Sequence, residues 1–297
     1  MDILNNDENL TLVDKQNGNL ALKLFTFDDL SRFDHIQRVN YYSLIWIREG
    51  AGLVKADFSE YKWDSDSLLA FTPYQPFMLS SNEFVQGISL NFHPDFFCIH
   101  KHHESVACNG VLFNNIYDSP VLKLDDAVSK QFLSLLKQMK DEMMHGDLAQ
   151  QEVLVSYLKI FLIAASRKKV QQQPESIEIS SSIDSEPYIL QNLKQHIEKH
   201  FRTKHSASDY ADMLNISPKA LAKATKKHFN KTVSDLISAR IIIEAKRELY
   251  LTDKQVKMIA SELGYSDEYY FSRFFKNHAD VSPQMYRETV GFNRASA

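Results

Sequence analysis

The sequence predicts an α+β chain: a strand-rich N-terminal half closed into an antiparallel barrel or sandwich, two amphipathic helices, then an all-α C-terminal unit carrying a double helix-turn-helix. Three observations predict it. Short apolar runs punctuated by Gly, Pro and Asp fill about residues 20–90. Helical spacing takes over near residue 126. A ten-residue pattern then recurs late in the chain.

The strand readings rest on Leu44-Ile45-Trp46-Ile47, closed by Arg48-Glu49-Gly50-Ala51-Gly52, and on Leu68 to Thr72, ended by Pro73 and Pro76. Ile88-Ser89-Leu90-Asn91-Phe92 alternates as a half-buried strand should. Phe132, Leu135, Leu136 and Met139 then recur at helical spacing, as do Val153, Leu154, Tyr157, Leu158, Phe161 and Leu162. They predict amphipathic helices over about 126–144 and 147–167. Lys168 to Pro187 is rich in Gln, Ser, Glu and Pro without periodicity and reads as a linker. The expected division is a flexible 1–19, a sensor and dimerisation domain over 20–168, a linker over 169–187 and a DNA-binding domain over 188–292.

The repeat pairs Ser208-Asp209-Tyr210-Ala211-Asp212-Met213-Leu214-Asn215-Ile216-Ser217 with Lys257-Met258-Ile259-Ala260-Ser261-Glu262-Leu263-Gly264-Tyr265-Ser266. Each has Ala, then Leu three residues on, then Asn or Gly, an apolar residue and Ser. Ala lets a second helix approach, and Leu anchors the short helix in the core. Asn215 or Gly264 can take the positive φ of a tight turn. Ser217 and Ser266 are candidate caps for the next helix, and Pro218 suits its first position. This is a helix-turn-helix pattern, whose second helix enters the major groove.

The second helices are expected over about 218–229 and 267–277. Lys219, Ala222, Lys223, Lys226 and Lys227 face outward on the first, and Tyr269, Ser272, Arg273 and Lys276 on the second. From residue 188 onward there are 18 Lys and Arg against 12 Asp and Glu, a balance of +6, which leaves −10 for the rest of the chain. A basic half points to a nucleic-acid partner. A helical protein-interaction domain with a solvated basic face gives the same count.

The segment from about Leu193 to Val290 resembles the DNA-binding domain of AraC/XylS-type regulators. The resemblance is most specific in Ile259-Ala260-Ser261-Glu262-Leu263-Gly264-Tyr265-Ser266-Asp267-Glu268-Tyr269-Tyr270-Phe271-Ser272-Arg273-Phe274-Phe275-Lys276, followed by Val281-Ser282-Pro283-Gln284-Met285-Tyr286-Arg287. Arg240 to Leu249 looks like the helix that connects the two motifs. Asn230 and Asp280 stand where the family usually has Gly, Thr225 where it usually has Phe, and Ala222 where a polar base-contacting residue is frequent. The resemblance implies a double-stranded DNA partner and activation by contact with RNA polymerase. Lys219, Lys223, Tyr269 and Arg273 are the candidate base-edge contacts, and Lys226, Lys227 and Lys276 the candidate phosphate contacts.

Upstream, Trp46 to Gly52 and Tyr61 to Pro73 are similar to the cupin-like sensor domain of many such regulators, with Ser65-Asp66 in place of the usual Gly-Asp. Such a barrel can hold one small molecule. Trp46, Trp63, Phe71, Tyr74 and Phe92 are candidate effector-pocket residues, although plain core is the simpler reading of any one of them. His93, Cys98, His100, His102, His103 and Cys108 are metal-competent donors, but their spacing matches no standard zinc pattern. The expectation is no metal and no cofactor.

No nucleophile elbow, P-loop or His-Glu-x-x-His motif is present, so no catalytic residues are assigned. No run approaches the roughly 20 apolar residues of a membrane span. Met1 to Glu8 has no leader-like pattern, and two cysteines suit a reduced, cytoplasmic setting. The reading is a non-enzymatic, homodimeric transcription regulator. The alternative is a metal-binding cupin enzyme fused to a DNA-binding module.

Overall fold

The computed structural model describes residues 9–14, 18, 20–57, 59–99, 110–146, 148–172 and 188–290. They divide into two compact units, one of residues 1–115 and 119–172, the other of residues 116–118 and 173–297.

The first unit is built on nine described strands: β1 (Asn9–Val13), β2 (Leu20–Phe27), β3 (Tyr42–Glu49), β4 (Gly52–Ala56), β5 (Ser59–Trp63), β6 (Ser67–Phe71), β7 (Phe77–Ser80), β8 (Gln86–Phe92) and β9 (Val121–Lys123). They form a six-stranded sheet in the order β1-β2-β8-β3-β6-β9 and a three-stranded sheet in the order β5-β4-β7. Neighbours are antiparallel throughout. The β3–β4 turn requires Gly50: its φ is +108°, and a Cβ there would lie 2.6 Å from the Phe84 carbonyl oxygen. Asp66, in the turn before β6, takes a left-handed φ of +57°.

Period-2 alternation gives the large sheet two apolar faces. Leu22, Leu24, Leu44, Trp46, Leu90 and Phe92 share a core with helices α1 (Asp126–His145) and α2 (Gln150–Gln172). There the Trp46 ring meets Phe132 edge-on at 6.0 Å, and Phe132 stacks on Phe161 at 3.9 Å. The opposite face, with Phe25, Phe27, Ile45, Ile47, Leu69 and Phe71, packs against Val54, Phe77 and Leu79 of the small sheet.

Two boundaries differ from the sequence reading. The stretch expected to be flexible contains β1, whose Leu10 and Leu12 alternate with polar neighbours and which pairs with β2. Helix α2 continues to Gln172, beyond the expected linker start at 169, because its last turn has partners. The buried Lys169 ammonium donates to the carbonyls of Ser119 (2.7 Å) and Val121 (3.1 Å), and the Gln172 amide donates to the Lys123 carbonyl. These are carbonyls at sheet-edge strand β9 and the turn before it. Residues 173–187, the rest of the expected linker, lie outside the described residues.

The second unit is helical: α3 (Tyr188–His200), α4 (Ala207–Met213), α5 (Pro218–Phe229), α6 (Val233–Leu251), α7 (Val256–Glu262), α8 (Glu268–Ala279) and α9 (Pro283–Val290). The 19-residue α6 carries buried Leu236, Ile237, Ile241, Ala245 and Leu249 through its middle. A capping box between Thr232 and Asp235 fixes its start.

Candidate nucleic-acid interface

Each motif is a seven-residue helix, a tight turn and a twelve-residue helix. Ala211 and Ala260 are buried where the helices of each motif approach. Leu263 is buried as expected, while Leu214 is only partly so. The turns use the residues the sequence singles out: Asn215 at φ +54° and Gly264 at φ +83°. Asn230 and Asp280, which end α5 and α8, also sit left-handed, at +54° and +60°. Asn and Asp tolerate this region better than other side chains with a Cβ.

The caps match only once. Ser217 caps α5 by accepting from the Ala220 amide at 3.2 Å, with Pro218 at the first helical position. At α8 the cap is Asp267, not Ser266: its carboxylate accepts from the amides of Tyr269 (2.6 Å) and Tyr270 (3.1 Å). The second turn is one residue longer, since the cap follows the anchoring Leu by four positions instead of three.

From their caps onward the two second helices align residue for residue. Lys219 matches Tyr269, Lys223 matches Arg273 and Lys226 matches Lys276. All six are exposed, as is Lys227, and Tyr269 most plainly at 79%. The buried faces align too, with the bulk redistributed. Leu221 and Phe271 are both buried; Thr225 and Phe229 in the first helix oppose Phe275 and Ala279 in the second. The aromatic that Thr225 lacks is supplied one turn later by Phe229. The Thr225 hydroxyl is satisfied by the Ala222 carbonyl at 3.2 Å.

Charge on the presented face is uncompensated. Among the described residues, Lys219, Lys223, Lys226, Lys227, Arg273 and Lys276 form no ion pair, and Arg273 does not close on Glu268. The Lys226 ammonium reaches only the Asn230 carbonyl, at 3.3 Å. Several of the unit's acids are engaged elsewhere. Buried Glu244 on α6 receives Arg202 at 2.6 Å, Arg247 at 3.0 Å and Arg240 at 3.1 Å, and Arg240 also holds Glu198 of α3 at 2.7 Å. Burial works to raise the Glu244 pKa, but the bonds from Arg247 and Arg240 outweigh it and hold the carboxyl below its usual value.

Several supporting residues escape a sequence reading. The Arg287 guanidinium donates to the carbonyls of Leu249 (3.4 Å) and Lys254 (2.5 Å), tying α9 to the end of α6. Tyr265 packs its ring among His205, Tyr270, Phe271 and Phe274, and burial pushes its phenol pKa up. Burial likewise pushes Tyr210 up to about 12, so its hydroxyl remains a donor to the Lys204 carbonyl at 3.0 Å. Arg287 ends the run from Val281 that resembles the AraC/XylS pattern, and only that resemblance marks it in the sequence.

In the first unit, the five candidate effector residues fall on different faces. Trp46 and Phe92 lie in the core shared with α1 and α2, whereas Trp63 and Phe71 lie between the sheets. Tyr74 is buried in a turn at φ +54°. Among the described residues no group of three His, Cys, Asp or Glu is placed to hold a metal. His93 and Cys98 are buried, and His100, His102, His103 and Cys108 lie outside the described residues. No described helix is long and apolar enough to cross a membrane.

Residues 210–289 match the helix-turn-helix domain family. Among curated proteins, the chain is 29% identical over 96 residues to the raffinose operon transcriptional regulatory protein RafR of Pediococcus pentosaceus, covering 32% of this chain and 35% of that one. It is 35% identical over 84 residues to the HTH-type transcriptional activator Btr of Bacillus subtilis, covering 28% and 16%. It is 23% identical over 159 residues to the HTH-type transcriptional activator RhaS of Enterobacter, covering 54% and 53%. The chain thus spans between about a sixth and a half of these relatives' lengths. Among solved structures, the C-terminal domain of AraT from Geobacillus stearothermophilus is 28% identical, with a TM-score of 0.37, over 38% of this chain and 94% of that one. ToxT K231A of Vibrio cholerae is 18% identical, with a TM-score of 0.41, over 92% and 98%. The three curated relatives are named as transcriptional regulators, and residues 210–289 of this chain are a helix-turn-helix domain of the AraC/XylS type.

Proposed function

We propose that the chain is a sequence-specific, duplex-DNA-binding transcription regulator that acts as an activator from the cytoplasm and recruits RNA polymerase. The observation that carries this reading is the pair of aligned second helices, whose exposed cations have no acidic partner among the described residues. On α5 and α8, Lys219, Lys223, Tyr269 and Arg273 read base edges. Arg273 is best suited, because its fork matches the two acceptors of guanine. Lys226, Lys227 and Lys276, further along or to the side, hold phosphates. Two relatives that share the C-terminal segment are named transcriptional activators, which supports the sign of regulation. The strand unit serves as a sensor that takes a small-molecule effector between its two sheets, where Trp63 and Phe71 of the candidate residues lie; Trp46 and Phe92 belong to the core on the other face. It dimerises through the half-exposed apolar stripe of α2, where Val153, Tyr157, Ile160 and Ala164 recur at three- and four-residue steps.

The test is selection from randomised duplexes by the full chain, followed by a salt titration. Recovery of one sequence, with log K falling by at least about three per log unit of salt for three phosphate contacts, is expected. Recovery of no sequence, with no salt dependence, overturns the reading.

A further inference from the structure

Two cations in the strand unit share one aromatic ring. The Lys23 ammonium stands 5.1 Å from the Phe25 ring centroid and the Arg32 guanidinium carbon 5.0 Å from it. Neither forms an ion pair with any described residue. Asp29 feels the Arg32 charge, but its carboxylate is taken by the backbone and hydroxyl of Ser31, at 2.8 and 2.6 Å. Burial, and then the Arg32 charge, push the Lys23 pKa down, as expected of like charges held together.

The surroundings are donors as well. Lys23, Asn91 and Ser43 are Cα partners across β2, β8 and β3, so they share the face of the large sheet that turns toward the small one. Asn91 is 4% exposed and Ser43 3%. The Ser89 hydroxyl donates to the Asn91 carboxamide oxygen at 3.3 Å, which commits that oxygen. The Asn91 amide nitrogen has no acceptor among the described residues. An ammonium and a guanidinium therefore share one ring, and a carboxamide stands beside the lysine in the ladder; among the described residues no acid pairs with either cation. The ring they flank belongs to an aromatic pair, Phe25 stacked with Phe33 at 6.3 Å. Lys23 is partly exposed and Arg32 exposed, so solvent reaches the cations.

We propose that Lys23, Arg32 and Asn91 form a binding site for a small organic carboxylate, whose charge is held by the two cations and whose apolar body lies against Phe25. This deepens the reading of the strand unit as an effector sensor and rests on it. The aromatic flank favours an organic anion over an inorganic one.

Both tryptophans, Trp46 and Trp63, lie in the strand unit, so tryptophan fluorescence during heating of the full chain reports that unit alone. The probes are phenylacetate, its neutral analogue phenylacetamide and inorganic phosphate, at one ionic strength. A melting shift of several degrees with phenylacetate and none with phenylacetamide is expected for the natural chain. Lys23→Met and Arg32→Gln should each weaken phenylacetate binding about tenfold or more, in proportion to one lost charged hydrogen bond. Lys23→Met should also melt at or above the natural chain in chloride, since it relieves a like-charge contact. No phenylacetate shift, an equal shift in all three chains, or a response to phosphate alone overturns the proposal. None of these readouts uses DNA. A chain that binds phenylacetate without change in DNA affinity would keep the site and sink its role as the effector site.

Discussion

Gly264 in the second turn lies so close to the Arg202 carbonyl that a Cβ added to it would stand 2.2 Å from that oxygen. Its φ of +83° already disfavours any side chain, and the close approach forbids one. Gly264→Ala should therefore cost roughly 2 kcal/mol or more in the helical unit, through strain and a displaced corner at Arg202. Asn215→Gly, at the equivalent turn with a φ of +54°, should stay within about 0.5 kcal/mol of neutral. Far-ultraviolet circular dichroism during denaturant unfolding checks both. Equal effects at the two turns would show that close packing at Gly264 is not what constrains it.

The shifted cap at α8 separates two neighbours. Asp267→Ala removes the acceptor for two amides and should cost about 1 kcal/mol. Ser266→Ala should cost little, while Ser217→Ala at α5 should resemble Asp267→Ala. A Ser266 effect as large as that of Asp267 in the same unfolding experiment would contradict the assignment.

Glu244 predicts a pH dependence. Its folded pKa lies below the ordinary 4.5, so the charged form is stabilised by folding. That stability is fully present above pH 4.5 and is lost as pH falls through the folded value. The natural chain should thus lose stability on acidification below about pH 4.5 more steeply than Glu244→Gln does. At neutral pH the variant should be weaker by about 3 kcal/mol, since it leaves Arg202, Arg240 and Arg247 without their shared acid. Parallel stability curves for the two chains would remove Glu244 from this role.

Arg273 and Lys276 lie on the same exposed side of α8 but should fail differently. Arg273→Ala should cost about 1–3 kcal/mol at one base position and relax the preference there. Lys276→Ala should weaken all duplexes alike and lower the salt slope by about one unit. Binding-site selection on both variants decides. An unchanged sequence preference in Arg273→Ala would place Arg273 among the phosphate contacts and leave base reading to Tyr269 or to DNA shape.

What the sequence reveals follows how local the physics is. The turn at Asn215 and Gly264, the Ser217 cap and the aligned cations are set within a few residues, and they read directly. The apolar runs Leu44 to Ile47 and Leu68 to Phe71 show that Trp46 and Phe71 are buried, but not that they belong to opposite faces of the same sheet; that depends on register between strands. The continuation of α2 past residue 168 depends on where Lys169 finds its carbonyls, 48 and 50 residues away along the chain. Glu244 looks like any acid on a helix until Arg202, 42 residues distant, is seen to reach it.

The first helix of each motif is only seven residues long. Isolated helices shorter than about 12–15 residues hardly persist in water. The reading surface is accordingly not a portable part. A peptide cut from residues 256–279 would retain Tyr269, Arg273 and Lys276 in order yet present them on a largely unfolded strand, because the scaffold that aims them is α6 and the corner at Arg202. Grafting new specificity here means exchanging exposed side chains on an intact unit, not transplanting a helix.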